Sequence, residues 1–248
     1  MSVVTFDLWN TLLSLDPDEA RSYVLRRHGI GRRWLERSPP RAGGPQGDLR
    51  RIPPEVRAEA DRWERVGRVM TIPEQARRMA RLANRRADPR TYERSLSRLS
   101  SSLPVKVAPG ARDCLRALRR DGLTLGLISN LTLEPPGAVR HLLYRTGLAP
   151  FFSTLVLSSE VGASKPDLRP FRVALSRLKA VPAQAVHVGD RWSSDGLGAV
   201  RAGWAGVIMV GPSPIPRSAR GHPRVRQVGS FRGVRAAVWD LLSPTPGP

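Results

Sequence analysis

Four short stretches carry the side chains that could do chemistry. The first is Val3-Val4-Thr5-Phe6-Asp7, a buried-strand pattern ending on a carboxylate. The second is Ser129-Asn130, after the apolar run from Leu123. The third runs Ser158-Ser159-Glu160-Val161-Gly162-Ala163-Ser164-Lys165-Pro166. The fourth is Gly189-Asp190, with Asp195 five residues on. Each follows an expected strand, and in a parallel sheet such strand ends lie along one edge, where open α/β folds build their sites. Asp7, Ser129, Lys165, Asp190 and Asp195 are thereby gathered in one place. Carboxylates brought so close repel unless a cation sits among them, and a hard, all-oxygen donor set points to Mg²⁺. A hydroxyl and an ammonium beside them suit the oxygens of a phosphate.

The elements that must position these groups follow from the rest of the pattern. From Val107 onward strands alternate with helices of about ten residues: strands over 123–129, 155–157, 185–188 and 206–210, helices over 111–121, 137–146, 170–179 and 195–202, and a last helix over 231–242. This is the signature of an α/β, doubly wound parallel sheet. A Pro-rich end, 243–248, reads as frayed. Between the first strand and this array, residues 14–105 contain no convincing strand. Asp16-Pro17-Asp18-Glu19 starts a helix that Gly29 is expected to stop, and a short helix covers 32–36. Further helices are expected over 54–69, 73–86 and 88–99, after a flexible loop over 38–47. The division is thus a core of 1–13 plus 106–248 and a helical insert of 14–105.

Composition narrows the function classes. The net charge is +20, yet Lys occurs only at 106, 165 and 179 and the arginines are scattered through every segment. No nucleic-acid motif and little aromatic interleaving accompany them, so specific nucleic-acid binding is not expected, only salt-sensitive sticking to polyanions. A lysine at 165, where this chain habitually uses Arg, favours a role for a compact ammonium. No apolar run reaches membrane-spanning length, the N-terminus does not read as a signal segment, and Cys114 is the single cysteine. A cytoplasmic monomer or homodimer without a membrane partner is expected. His28, His141, His187 and His222 show no metal-ligand spacing, and His187, inside a strand, reads as packed.

Four motifs in this order, Phe6-Asp7-Leu8-Trp9-Asn10-Thr11-Leu12, Ile128-Ser129-Asn130, Ser159 to Asp167 with Lys165, and His187-Val188-Gly189-Asp190 through Asp195, resemble those of the haloacid dehalogenase (HAD) superfamily, in the branch with a helical cap after the first motif. The resemblance implies a Rossmann-like core, a cap domain over 14–105 and hydrolysis of a small phosphorylated substrate. It implies Asp7 as a nucleophile that forms an aspartyl-phosphate, Ser129 and the backbone of Asn130 as phosphate ligands, and Lys165 as the neutralising cation. Mg²⁺ would be held by Asp7, the Trp9 main-chain carbonyl and Asp190, with Asp195 as a further ligand or as orienter of metal-bound water. Asp195 also reads simply as the N-cap of the next helix.

Trp9 departs from the pattern. Most phosphatases of this superfamily carry a second Asp there, to protonate the leaving group and later activate water, and loss of such a group costs on the order of 10²–10⁴ in rate. Three readings stay open: a phosphatase with a good leaving group or an acid from the cap; a 2-haloacid dehalogenase-like hydrolase, whose branch has an aromatic residue there; and a catalytically impaired binding protein. An acid such as Asp190 beside the nucleophile speaks against the second unless a cation is present.

Overall fold

In a computed structural model describing residues 2–243, six parallel strands form one sheet. In chain order the strands are β1 (Val3–Phe6), β2 (Leu13–Ser14), β3 (Lys106–Val107), β4 (Thr124–Ser129), β5 (Thr154–Leu157), β6 (Ala185–Gly189), β7 (Gly206–Val210) and β8 (Val225–Val228). The sheet order is β5-β4-β1-β6-β7-β8. β1 therefore lies between β4 and β6, with Phe6 in register with Leu127 on one side and Val188 on the other. The strands bearing the first, second and fourth motifs are direct neighbours, and β5 next to β4 leads into the third. This is why residues more than a hundred positions apart meet at one edge.

Side chains of β1 alternate between two packed layers, as period-two geometry requires. Val4 and Phe6 join a cluster with Leu115 and Leu118 of α5 (Ala111–Arg120), Leu142 and Leu143 of α6 (Pro136–Arg145), and Val238 and Leu241 of α10 (Val234–Leu242). Val3 faces the opposite layer, with Phe171 and Ala174 of α8 (Leu168–Leu178) and Ala199 of α9 (Leu197–Arg201). A four-residue helix, α7 (Ser158–Val161), follows β5.

Four helices fill the segment between β2 and β3: α1 (Pro17–Glu36), α2 (Ile52–Arg65), α3 (Ile72–Leu82) and α4 (Pro89–Ser101). They bury a cluster of their own around Trp34, Leu35, Val56, Met79, Tyr92 and Leu96. The chain's two crossings pair with each other, Leu13 with Val107 and Ser14 with Lys106, in an antiparallel ribbon. The end of α3 that leads in from Thr71 is fixed by a capping box: Thr71 N–H donates to Glu74 Oε2 at 2.7 Å while Thr71 Oγ1 accepts from the Glu74 N–H.

Three local expectations are revised. Gly29 does not stop α1, which continues through Gly31 to Glu36 and absorbs the short helix expected at 32–36. At Gly31 an added Cβ would lie 3.2 Å from Pro53 and 3.5 Å from Met79 Sδ, so the missing side chain lets α1 approach its neighbours closely, and that packing offsets the poor helix propensity of glycine. β8 was not expected, because Val225-Arg226-Gln227-Val228 is a half-polar edge strand rather than an apolar run. The helix expected from Asp195 begins instead as a π-helical turn, Trp192–Gly196, which leads into α9. Residues 244–248 of the Pro-rich end lie outside the described residues.

Candidate active site

Asp7 follows β1 directly, its N–H donating to Val188 O on β6 at 2.8 Å. The chain then turns tightly: Asn10 adopts a left-handed φ of 59°, and Leu12 and Leu13 N–H both return to Leu8 O. The turn brings Thr11 back over the carboxylates. Its Oγ1 lies 3.3 Å from both Asp7 Oδ2 and Asp190 Oδ1. Thr11 thus spans two acids, a role hidden in a residue that reads as a turn former.

Lys165 is the centre of charge. Its side chain is 1% exposed, and Nζ donates to Asp7 Oδ1 at 2.7 Å, Asp195 Oδ1 at 2.6 Å and Ile128 O at 2.7 Å. All three ammonium hydrogens are used. Asn130 clamps the lysine's backbone on both sides: its Oδ1 accepts from Lys165 N–H at 2.8 Å and its Nδ2 donates to Lys165 O at 3.0 Å. Ser129 is buried, and its hydroxyl donates to Asn130 O at 3.4 Å, a weak contact.

Asp195 is wholly enclosed. Besides Lys165, its Oδ1 meets His187 Nε2 at 3.1 Å, and its Oδ2 accepts from Arg191 N–H at 3.1 Å and from Ser194 Oγ at 3.3 Å. Gly189 makes room for it, since a Cβ there would lie 2.4 Å from Asp195 Cγ. His187 is packed, as its place in β6 suggests, with Phe171 and Trp204 edge-on to its ring, and it also ties Asp195 to Thr5, whose Oγ1 is 2.8 Å from His187 Nδ1. A neutral ring with its hydrogen on Nε2 satisfies both contacts.

The electrostatics follow from burial. Burial pushes the Asp7 carboxyl up, to about 7; Lys165 pulls it down, and Asp195 and Asp190 push it further up. Asp190 is raised for the same leading reason, with Asp195 next. Asp195 goes the other way: burial would raise it, but Lys165 and His187 outweigh that and hold it well below the usual carboxylate range. For Lys165, burial works against the charge and the two carboxylates overcome it, so its value lies above that of an ordinary lysine. Burial keeps His187 neutral.

Oxygens of Asp7, Asp190 and Asp195 lie within 4.8 Å of one another. One ammonium cannot neutralise three carboxylates, and the raised Asp7 and Asp190 are acids short of a cation, so the donor set fits a hard divalent ion. These groups open onto a cavity of about 440 Å³. Asp7, Trp9, Asn130, Lys165, Asp190 and Asp195 line it; Ser129, 1% exposed, is not among its lining residues. The opposite wall comes from the helical segment, with Arg57, Asp61, Glu64 and Arg65 on one face of α2. Glu64 reaches the sheet edge, accepting from Asn130 Nδ2 at 3.3 Å, from Thr132 Oγ1 and from Arg191 Nη1 at 3.5 Å. Nothing in the sequence distinguishes Glu64 from the other acids of α2. Position 9 holds a Trp whose indole N–H has no hydrogen-bond partner among the described residues.

An α/β sheet carrying an acid, a hydroxyl, a buried lysine and paired acids at successive strand ends defines a class of hydrolase. The chain belongs to that class: the haloacid dehalogenase-like hydrolase family matches residues 1–203. Haloacid dehalogenase-like hydrolase domain-containing protein 3 of Mus musculus is 33% identical over 144 residues, 58% of this chain and 55% of that protein. A phosphoserine phosphatase of Thermus thermophilus is 38% identical over 126 residues, 51% of this chain and 49% of its own. The chain thus spans about half the length of these relatives. A HAD phosphatase from Thermococcus onnurineus shares the fold, with a TM-score of 0.62 at 20% identity over 96% of this chain and 98% of its own. No helix among the described residues is long and apolar enough to cross a membrane.

Proposed function

We propose that the protein is a Mg²⁺-dependent phosphatase that hydrolyses a small phosphorylated metabolite through an aspartyl-phosphate on Asp7. The observation that carries this reading is the buried Lys165 ammonium joining Asp7 to Asp195, with Asp190 beside them. Asp7 is the nucleophile; Lys165 holds its carboxylate in place and offsets the charge arriving with the phosphate. The Asn130 main chain and the Ser129 hydroxyl bind phosphate oxygens, which for Ser129 requires the hydroxyl to leave its weak contact with Asn130 O. Asp7, Asp190 and the Trp9 carbonyl would hold Mg²⁺, which when bound supplies charge neutralisation at the phosphoryl group. Asp195 is a further ligand or, with both its oxygens engaged by the protein, the group that orients Lys165. The helical segment 14–105 acts as the cap, and its α2 face meets the leaving group. The phosphatase activity of the Thermus relative fits the same reading.

Turnover of p-nitrophenyl phosphate by the purified chain, with and without Mg²⁺ and with EDTA, is the test. The expected result is Mg²⁺-dependent turnover that falls by about 10³-fold or more in Asp7→Asn. Metal-independent chloride release from a 2-chloro acid would establish the dehalogenase alternative instead. Absence of both activities, with Asp7→Asn indistinguishable from wild type, would leave a binding protein.

A further inference from the structure

We propose that Glu134 is the proton donor and acceptor of this reaction, in place of the acid that position 9 lacks. The inference rests on the phosphatase reading above. Six carboxyl groups line the cavity among the described residues. Asp7, Asp190 and Asp195 belong to the sheet-edge cluster. Asp61 is paired with Arg57 at 3.1 Å, and Glu64 holds three donors. Glu134 remains. It is 7% exposed, lines the same cavity as Asp7, and accepts no hydrogen bond from another side chain among the described residues.

Its backbone is held in place. Glu134 lies five residues after Ser129 on the loop that carries Asn130. Leu131 N–H donates to Ser158 Oγ at 2.8 Å, Gln75 Nε2 to Thr132 O at 2.9 Å, and Tyr23 Oη to Leu133 O at 3.2 Å. α6 begins at Pro136. The loop is therefore anchored both by the sheet and by the helical segment, the preorganisation an acid–base group needs. The charged and titratable groups whose fields reach Glu134 are Tyr23 and Arg27 from α1 and Arg57 and Glu64 from α2. Burial pushes its carboxyl up to about 7, Arg27, Arg57 and a hydrogen bond from its own backbone N–H pull it back, and Glu64 adds a smaller push upward. At neutral pH both protonation states are populated, so one group can give a proton and take one back.

An Asp7 carboxylate oxygen forms a bond to phosphorus as the bond from phosphorus to the leaving oxygen breaks. The electron pair goes to that oxygen, which takes the proton of Glu134. The alcohol leaves, with Glu134 now a carboxylate and Asp7 phosphorylated. Water then attacks phosphorus, its proton passes to Glu134, and the Asp7–phosphorus bond breaks. The products are the alcohol and phosphate, and both carboxyl groups regain their starting states.

The test uses the Mg²⁺-loaded enzyme in excess over substrate, so that only the first step is seen. Two substrates of nearly the same shape are compared: p-nitrophenyl phosphate, whose leaving group needs little protonation, and phenyl phosphate, whose leaving group needs it. Glu134→Gln is expected to lose about 10²-fold on phenyl phosphate and at least about tenfold less on p-nitrophenyl phosphate. Equal losses on both, as a structural or binding role would give, or no loss on either, would overturn the proposal and leave the phosphatase reading intact. The wild-type pH profile gives a second readout that does not depend on how the variant folds. Phenyl phosphate should show a falling basic limb near neutrality that is weaker for p-nitrophenyl phosphate, and identical limbs would likewise overturn the proposal. Wild-type enzyme that turns over neither ester would remove the phosphatase reading itself.

Discussion

Lys165 and Glu64 face the same cavity, and each holds three hydrogen-bond partners, but they are held by different means. The partners of Lys165, Asp7, Asp195 and Ile128 O, all sit at or just beyond the ends of neighbouring strands, and the lysine is 1% exposed. Glu64 reaches across from α2 to Asn130, Thr132 and Arg191 and keeps 19% of its side chain exposed. At the sheet edge the groups proposed for chemistry are also the ones that neutralise buried charge, so activity and stability are fused. On the helical wall Arg57, Asp61 and Glu64 keep 22%, 32% and 19% of their side chains exposed, so stability should depend on them less, and we propose that this wall selects the substrate. The largest predicted effect breaks the first half of this contrast. Lys165→Met should abolish turnover and, in EDTA, cost about 3–5 kcal/mol in urea unfolding, because it leaves the Asp7 and Asp195 carboxylates buried without their cation. A loss near 1 kcal/mol would mean that the edge cluster is not the electrostatic keystone of the fold.

The two regions also differ in how much of them could be read from sequence. Parallel strands buried on both faces leave contiguous apolar runs, and each run here ends on Asp, Ser or Gly. The five sheet strands other than β8, and Asp7, Ser129, Asp190 and Lys165 at or after their ends, were legible for that reason. Thr11 was not, because its two contacts depend on a turn geometry that only Asn10's left-handed backbone reveals. Asp195 was legible as a member of the cluster with Lys165, and also as a helix cap; its contact with His187 was not, because the π-helical turn sets it. In the helical segment the helices were legible from periodicity, but their ends shifted where packing overrides propensity, as at Gly29 and Gly31. The facing of Glu64 and Glu134 toward the cavity is tertiary information that no local pattern carries.

Glu134 stands between the two regions, on a core loop but beneath α1 and α2, and its titration sharpens the comparison at intermediate magnitude. Its folded value of about 7 lies above the ordinary 4.5 because burial opposes its charge. The native protein therefore keeps a proton that the unfolded chain releases between those values. Stability contributed by the neutral form is present at low pH and is lost as pH rises from about 4.5 through 7. Each pH unit of that difference is worth about 1.4 kcal/mol. Glu134→Gln, which cannot ionise, should match wild type near pH 4 and exceed it by up to about 3 kcal/mol near pH 8. Urea unfolding at the two pH values measures this. A variant no more stable than wild type at pH 8 would show that Arg27 and Arg57 already compensate the charge.

The smallest stability effect is expected on the helical wall itself. Glu64→Ala removes acceptors from Asn130, Thr132 and Arg191, but water can reach a side chain that is 19% exposed and Arg191 is 56% exposed. The cost to folding should be about 1 kcal/mol or less. The kinetic effect should be larger in proportion: with the contact from α2 to Asn130 gone, the wall is held less closely over the cavity, and KM for p-nitrophenyl phosphate should rise several-fold while kcat changes little. The direction of the split is what matters. A fall in kcat with unchanged KM would make Glu64 part of the transition-state machinery with Lys165. A large loss of stability with no kinetic change would make it a structural bolt between α2 and the sheet, and either result would dissolve the division of labour between the two walls.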